Sequence, residues 1–311
     1  IEAPGFERLV KALNVAKIPI VAFAPSQNKS ACSMQLNLNT SIDLHQRSDL
    51  IEKWNLDESH GVHLYALDGT PCDTMIVALD GGLYNVLPHI TPTLVLSGVN
   101  LGPNLSQDSY HSGTMGAARE AGLYGMPAVA SSYTSFDVDG MDVSIAATVE
   151  FIQHLLPLIP GVPQNLCRPH VDAEEEHVSR WPKNETTRSE DEAFQQLRSA
   201  FQSGELMLNL NVPSEWNGRF QTTRLGMRWY RSAVQFVESD DGSLKTTFRI
   251  GAAFIDTETI EKGDCDAVAS GYASISSLPN WPQTHPLALD GELLAHALKE
   301  DEFGFPKWLK G

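Results

Sequence analysis

The chain has 311 residues, and its 22 basic against 39 acidic side chains give a formal net charge of −17. This charge excludes duplex nucleic acid and anionic lipid as bulk partners, because both require a basic protein face. A hydrophobic fraction of 42% is typical of a globular protein, and no apolar run reaches the length of a membrane span. We therefore expect one large α/β domain with extensions, or two domains.

Strand-like and helix-like patterns alternate along most of the chain. Strands are predicted over residues 18–23, 34–38, 62–67, 94–96, 127–131 and 206–212. Helices are predicted over residues 4–13, 73–79, 115–123, 143–158 and 287–298. This alternation predicts an α/β fold with a Rossmann-like, mostly parallel sheet and helices on both faces, followed by a β-rich C-terminal extension.

Two segments depart from the alternation. Residues 166–198 are rich in charged residues, serine and proline, so we expect a partly disordered surface insertion there. Residues 221–254 alternate as strands do, with residues 240–242 as the expected hairpin turn. The predicted organisation is a core domain over residues 1–215, followed over residues 216–311 by a β-arm and a C-terminal helix that serve oligomerisation.

The cysteines indicate the redox compartment. The four of them, Cys32, Cys72, Cys167 and Cys265, are far apart and show no paired spacing. Such a pattern predicts reduced thiols rather than a disulfide framework or a zinc site. We expect a cytoplasmic protein without a signal peptide.

The most informative chemistry lies in the stretch LVLSGVNLGPNLSQDSYHSGT. An apolar run ends in a loop that holds Asn100 and Asn104, and the turn formed by Ser112, Gly113 and Thr114 then precedes small helix-forming residues. Ligands of open α/β sheets bind in the loops after the strands, and the start of a helix favours an anion such as phosphate. The asparagine amides can bind a metal ion or phosphate oxygens. The stretch therefore predicts a phosphate or metal site.

Two alternatives bear on this stretch. The same residue types form ordinary turns, so a purely structural role stays open. The glycine spacing does not match the GxGxxG fingerprint, and no lysine follows the glycines as it does in a Walker loop. A dinucleotide-dependent oxidoreductase is therefore disfavoured.

The motifs SGVNLGPN and HSGTMGAAREAG resemble the central signature of the SurE family. The segments IEAPG, APSQNKS, GTPCD and NLNVP keep the family's order along almost the whole chain. The resemblance implies a nucleotidase, a metal-dependent phosphomonoesterase that hydrolyses nucleoside 5′- or 3′-monophosphates or related phosphate esters and uses Mn²⁺ or Mg²⁺. It also implies that the later β region is an arm exchanged between subunits, and hence a homodimer or homotetramer.

The resemblance assigns roles to individual residues. Ser30 and Asn100 match the family's neutral metal ligands, although the residues around Ser30 alone favour an ordinary loop serine. The elements that hold the substrate phosphate match Asn104, Ser112, Gly113 and Thr114. The predicted catalytic set is Asn100, Asn104, Ser112 and Thr114. Nearby, Asp73 is expected to cap a helix, and a loop histidine such as His111 more often packs than transfers a proton.

One family feature is absent from the sequence as written. Family members place an Asn-Asp-Asp-Gly segment, whose aspartates are the charged metal ligands, immediately before the residues that match IEAPG. Because a hard divalent cation prefers carboxylates, we expect an inactive fragment that binds metal weakly or not at all. The missing first strand would leave a central slot in the sheet. The alternative is a non-catalytic paralogue that binds phosphate or a protein partner without hydrolysis.

Overall fold

The computed structural model describes residues 1–159, 187–239, 246–251 and 254–310. Its α-helices are α1 (Pro4–Val15), α2 (Asp49–Lys53), α3 (Pro71–Val77), α4 (Leu83–Val86), α5 (Asp108–His111), α6 (Gly113–Leu123), α7 (Asp142–Leu155), α8 (Glu190–Gln202), α9 (Asp264–Ala269) and α10 (Gly291–Ala297). Its strands are β1 (Ile20–Pro25), β2 (Leu44–Gln46), β3 (Val62–Leu67), β4 (Val95–Leu101), β5 (Ala128–Tyr133), β6 (Leu206–Val212), β7 (Phe220–Thr223), β8 (Met227–Arg231), β9 (Val234–Ser239), β10 (Thr246–Ile250), β11 (Phe254–Glu258) and β12 (Ala273–Pro279).

The α/β part of the described chain contains a sheet that is divided in two. One sheet has three strands in the order β1-β3-β2, and the other has five in the order β4-β5-β6-β12-β7. The neighbours β1 and β3, β4 and β5, β5 and β6, and β12 and β7 are parallel, whereas β12 and β6 are antiparallel. Among the described strands, β1 and β4 are therefore edges, each hydrogen-bonded to one neighbour.

The two sheets share one helix layer on each face. On one face, Ala22 of β1 and Val99 of β4 belong to a single apolar cluster that also contains residues of α1 and α7. On the other face, Phe23 of β1 and Val95 of β4 pack into one cluster with residues of α6. The strands β1 and β4 therefore lie in the same layer, and the predicted α/β fold, with a mostly parallel sheet and helices on both faces, is confirmed.

The start of α1 lies where β1 and β4 end. The amino group of Ile1 donates a hydrogen bond of 2.6 Å to the carbonyl of Pro25, the last residue of β1. Gly5 lies against the carbonyl of Val99, so closely that a β-carbon would overlap it. The first turn of α1 thus connects the carboxyl ends of both edge strands.

The predicted strand at residues 34–38 is wrong. Asn37 is bound by its backbone N–H and its amide to the two carboxylate oxygens of Asp73, at 3.1 and 2.7 Å. The next residue after the segment, Asn39, has a left-handed backbone with φ of 58°, which is uncommon in strands, and no strand forms over residues 34–38. Asp73 also completes a capping box with Thr70 at the start of α3, so its expected role as a helix cap is confirmed.

The prediction of a partly disordered insertion over residues 166–198 is wrong for its last part. Residues 160–186 lie outside the described residues, but α8 follows them. Ser189 and Glu192 form a capping box at its start, and Leu197 on its apolar face is fully buried in the core. The acidic residues 190–192 therefore form the first turn of an amphipathic helix, where negative charge is favoured by the helix dipole.

Beyond residue 215 the chain contributes to the core and also forms a ribbon outside it. The strands β7 and β12 complete the five-stranded sheet, and Trp308 is fully buried in the core cluster. The ribbon consists of two antiparallel pairs, β8–β11 and β9–β10. The expected turn at residues 240–242 lies outside the described residues. No helix in the described ranges combines the length and apolar character needed to cross a membrane.

Candidate phosphate-binding site

Two of the predicted site residues meet where β4 ends and α6 begins. The hydroxyl of Thr114 lies 3.5 Å from the amide oxygen of Asn100, and the Asn100 amide nitrogen donates to the carbonyl of Gly102 at 2.9 Å. These two contacts fix the Asn100 amide with its oxygen toward α6. Both side chains are only partly buried, so a ligand can reach them.

The loop that carries Ser30 packs against the same helix start. Gly113, the first residue of α6, is buried, and a β-carbon there would lie 2.8 Å from the Cys32 sulfur and 3.3 Å from the Lys29 carbonyl. Only glycine therefore allows the loop to approach α6 this closely. Because Ser30 directly follows Lys29 in the chain, its backbone lies beside the start of α6. Ser30 is exposed.

Ser112 is the N-cap of α6. Its hydroxyl oxygen accepts a hydrogen bond of 3.1 Å from the backbone N–H of Met115. The hydroxyl hydrogen can still donate to an anion. The first N–H groups of a helix have no acceptor within the helix, so those of Gly113 and Thr114 are suited to bind an anionic oxygen.

Asn104 lies inside the molecule, at 3% exposure, rather than on the open edge. Its amide nitrogen donates to the Ser132 hydroxyl at 2.7 Å, and its backbone N–H donates to the Asn211 amide oxygen at 2.9 Å. Its carbonyl accepts from the amides of Asn209 and Asn211 at 2.9 and 3.2 Å. These contacts hold the loop to β5 and β6, and a direct role of Asn104 in phosphate binding stays a prediction.

Sequence reasoning did not assign a role to Asn209 and Asn211. They alternate with leucine and valine in a strand that is buried at every position. A buried amide needs a hydrogen-bond partner, so two asparagines at alternate positions of an apolar strand were the available signal. The signal does not identify the partner, which lies more than a hundred residues earlier in the chain.

Asp264 is a second residue that sequence reasoning missed. Its fully buried carboxylate accepts from the backbone N–H of Ser106 at 3.1 Å and of Gly226 at 2.8 Å. Burial raises the pKa of this carboxyl, and the two backbone hydrogen bonds oppose that shift. Ser106 has a left-handed backbone with φ of 49°, and it also accepts hydrogen bonds from Arg228 N–H at 3.0 Å and the Ser109 hydroxyl at 2.6 Å. These contacts fix the loop between Asn104 and α5.

Asp108 connects this loop to the ribbon. Its carboxylate accepts from the Arg228 guanidinium at 3.2 Å and from the Tyr230 hydroxyl at 2.5 Å. Burial and the hydrogen bond to this carboxylate raise the pKa of Tyr230 to about 12. Because Arg228 and Tyr230 both lie on β8, the base of the ribbon is tied to the loop that leads to α6.

The described residues do not fit a divalent cation by themselves. Ser30 and Asn100 offer neutral oxygens, whereas hard cations prefer carboxylates. Within the described ranges, no group of three or more histidine, cysteine, aspartate and glutamate side chains could hold a metal ion. The carboxylate of Asp108, the first residue of α5, is already paired with Arg228.

The fold and the site define an α/β protein with a polar, anion-favouring site at the carboxyl edge of a parallel sheet. The chain belongs to the SurE family, as its motifs predicted, because the profile of "Survival protein SurE" matches residues 1–232.

Similar proteins cover most of the chain. It is 29% identical to a 5′-nucleotidase SurE of Polaromonas naphthalenivorans, over 91% of this chain and 93% of that protein. It is 31% identical to a 5′-nucleotidase SurE of Archaeoglobus fulgidus, over 70% and 69% of the two chains. The crystal structure of the SurE protein from Aquifex aeolicus superposes with a TM-score of 0.60 at 22% identity, covering 94% and 91%, which supports the fold.

Proposed function

We propose that this protein is a phosphomonoesterase that hydrolyses nucleoside monophosphates with the help of Mn²⁺ or Mg²⁺. The proposal depends on one observation, the contact between Asn100 and Thr114 at the start of α6, beside the Ser30 loop. The free helix N–H groups and the Ser112 hydroxyl are donors for phosphoryl oxygens, whereas the Asn100 amide oxygen, which is directed toward α6, is an acceptor suited to a cation. The substrate class is supported by similar proteins that are named 5′-nucleotidases.

The residues of the chain bind and orient the phosphate in this proposal. The N–H groups of Gly113 and Thr114 and the hydroxyl of Ser112 donate to its oxygens, and the Thr114 hydroxyl holds the Asn100 amide oxygen toward the same place. A net charge of −17 repels an anionic substrate, so attraction must be local. A bound cation would supply that attraction and polarise the phosphoryl group.

The divided sheet suggests where carboxylates for such a cation belong. A parallel strand between β1 and β4 would pair with both open edges, and its carboxyl end would lie beside Ser30 and Asn100. We propose that a strand ending in Asn-Asp-Asp-Gly fills this gap and supplies the acidic cation ligands that the described residues do not offer.

Phosphate release from AMP tests the function. The chain is compared with the same chain preceded by such a strand, each with Mn²⁺ and with EDTA. We expect release only from the extended protein with Mn²⁺. Equal rates with Mn²⁺ and EDTA would contradict the proposed use of a cation. In the extended protein, Asn100→Ala is expected to lower turnover on the order of 10²-fold, whereas Asn85→Ala, an exposed amide on α4, serves as the control.

A second candidate is a protein that binds phosphate without hydrolysing it. The specific observation in its favour is that the described residues contain no acidic metal cluster, although the donors for a phosphate are present. It predicts that both forms of the protein bind inorganic phosphate and that neither releases phosphate from AMP. The same assay therefore separates the two candidates.

We further propose a cytoplasmic homodimer or homotetramer in which the ribbon contacts another subunit. The ribbon exposes the large apolar side chains Phe236, Phe248 and Phe254, at 62%, 59% and 77%. Such a surface favours association. Light scattering tests this, since Phe236→Glu should lower the molecular mass if the ribbon forms the contact. The free thiols of Cys32, Cys72 and Cys265 support the proposed cytoplasmic location, because cytoplasmic proteins rarely form disulfides.

A further inference from the structure

An exposed aromatic side chain stands beside the proposed phosphate site. Phe136 lies in the loop after β5 and is 75% exposed. Its ring rests on the backbone of Gly102, where a β-carbon would lie 2.6 Å from the ring atom Cε1. Gly102 has φ of +112°, a conformation that favours glycine, and its N–H donates to the Tyr133 carbonyl at 2.9 Å. The edge of the ring around Cε1 therefore lies against the Gly102 backbone, and most of the side chain is exposed to solvent.

Phe136 ends a continuous row of contacts that starts at α6. The Thr114 hydroxyl contacts the Asn100 amide, the Asn100 amide donates to the Gly102 carbonyl, and Gly102 supports the Phe136 ring. Two residues of extended chain, about 7 Å, separate Asn100 from Gly102 at most. A nucleotide has the same order of groups, with a phosphate at one end, a sugar in the middle and a flat base at the other end.

The loop that carries Phe136 is held by hydrogen bonds of residues that precede and follow Phe136 in the chain. The N–H of Thr134 donates to the Val212 carbonyl at 3.0 Å, which ties the loop to β6. The N–H of Asp137 donates to the Ser135 hydroxyl at 3.1 Å. An aromatic side chain on a fixed loop loses little conformational entropy when a ligand packs on it.

Another exposed aromatic near the site is a competing candidate. Tyr110 on α5 is 64% exposed, but its carbonyl accepts a hydrogen bond from the Ser33 hydroxyl, on the side of the Ser30 loop. That hydrogen bond lies outside the row of contacts that leads from Thr114 through Asn100. Single exposed apolar residues are common on protein surfaces, so the contact with Gly102 is what distinguishes Phe136.

We propose that Phe136 is the platform on which the base of a nucleoside monophosphate stacks while its phosphate lies at Asn100 and Thr114. This proposal rests on the function proposed above. Stacking on an aromatic ring tolerates any base, because every base has a π-face. The platform therefore favours nucleotides over base-free sugar phosphates and discriminates little among the bases.

Equilibrium binding tests the platform without requiring turnover. Calorimetric titrations with AMP and with ribose 5-phosphate give an affinity ratio for the chain and for its strand-extended form. We expect AMP to bind more tightly, Phe136→Ala to lower the ratio about tenfold, and Phe136→Trp to restore it. Tyr84→Ala, a 67% exposed aromatic on α4, is the matched control and should leave the ratio unchanged.

The outcomes separate the platform from the proposed function. Equal affinities for AMP and ribose 5-phosphate would overturn the platform and leave the phosphate site intact. If Tyr110→Ala lowers the ratio of AMP affinity to ribose 5-phosphate affinity and Phe136→Ala does not, the platform proposed at Phe136 is wrong. The base would then stack on Tyr110 of α5. If neither compound binds to either form of the protein, both the proposed function and the platform are wrong.

Discussion

The inner strands β5 and β6 differ from the edge strands β1 and β4, although all four lie between helix layers. Every residue of β5 and β6 is buried, and each strand is hydrogen-bonded on both sides. In β4 only Val99 is buried, and the strand has one partner among the described strands. β1 also has one partner among the described strands but is buried at four of its six positions, so the low burial is specific to β4.

The two pairs of strands also contribute different parts of the site. The loop after β1 carries Ser30, which is exposed, and the end of β4 carries Asn100, which is partly buried. The buried strands supply Ser132, Asn209 and Asn211, which hold the loop through Asn104. The edge strands thus lead to the groups available to a ligand, and the inner strands carry the groups that hold the loop containing Asn104.

Matched truncations in the two regions should produce the largest effect. Leu208→Ala on β6 removes a fully buried side chain and is expected to lower the free energy of unfolding by about 3 kcal/mol. Leu96→Ala on β4 removes a half-buried side chain and should cost roughly half as much, because less apolar surface is lost from the core. Urea denaturation of both variants gives the difference. Equal losses would remove the distinction between inner and edge strands.

A smaller effect is expected at Asp264. Asp264→Asn keeps the size of the side chain but has only one oxygen, so the N–H of either Ser106 or Gly226 is left without its acceptor in a buried place. We expect a loss of about 2 kcal/mol in the free energy of unfolding. Asp142→Asn, which affects an exposed ion pair with Arg8, is the control and should change stability by about 1 kcal/mol or less. Similar values for both variants would mean that Asp264 does not hold the loop.

The smallest effect concerns acid stability. Hydrogen bonds and ion pairs with Lys299 and Lys307 lower the pKa of Glu190 from 4.5 to about 2. Its stabilising contribution is therefore present above pH 4.5 and is lost as the pH falls toward 2. Glu190→Gln should show a slightly smaller loss of stability across this window, measured as denaturation midpoints. An unchanged pH dependence would show that the pair contributes nothing, as exposed ion pairs often do.

Local patterns predicted the elements that depend on local physics. Two predicted strands, residues 62–67 and 206–212, have the observed bounds, because mainly apolar runs end there at glycine, proline or charged residues. The prediction at residues 34–38 was wrong because a carboxylate from α3 binds Asn37, which no pattern within the segment reveals. The prediction of a disordered insertion was wrong at α8 because the high charge of its first turn suggested disorder. The capping box that starts at Ser189 indicated a helix instead.

The site was predictable in part. Family motifs identified the segments that meet at α6, whereas the buried position of Asn104 depends on asparagines 105 and 107 residues away. Asp264 gave no local signal, since its contact with Ser106 spans 158 residues. Contacts of this length arise from topology, which fixes where distant segments meet, and not from the spacing of residues in one segment.

Hydrogen–deuterium exchange of the edge strands tests whether an open gap between β1 and β4 accepts a strand and completes the site. In the chain alone, we expect the amides of β4 that do not donate to β5 to exchange much faster than those of β5 and β6. Adding a strand that ends in Asn-Asp-Asp-Gly should protect both β1 and β4. If the amides of β4 are as protected as those of β5 before any strand is added, β4 has no open edge and the proposed gap does not exist.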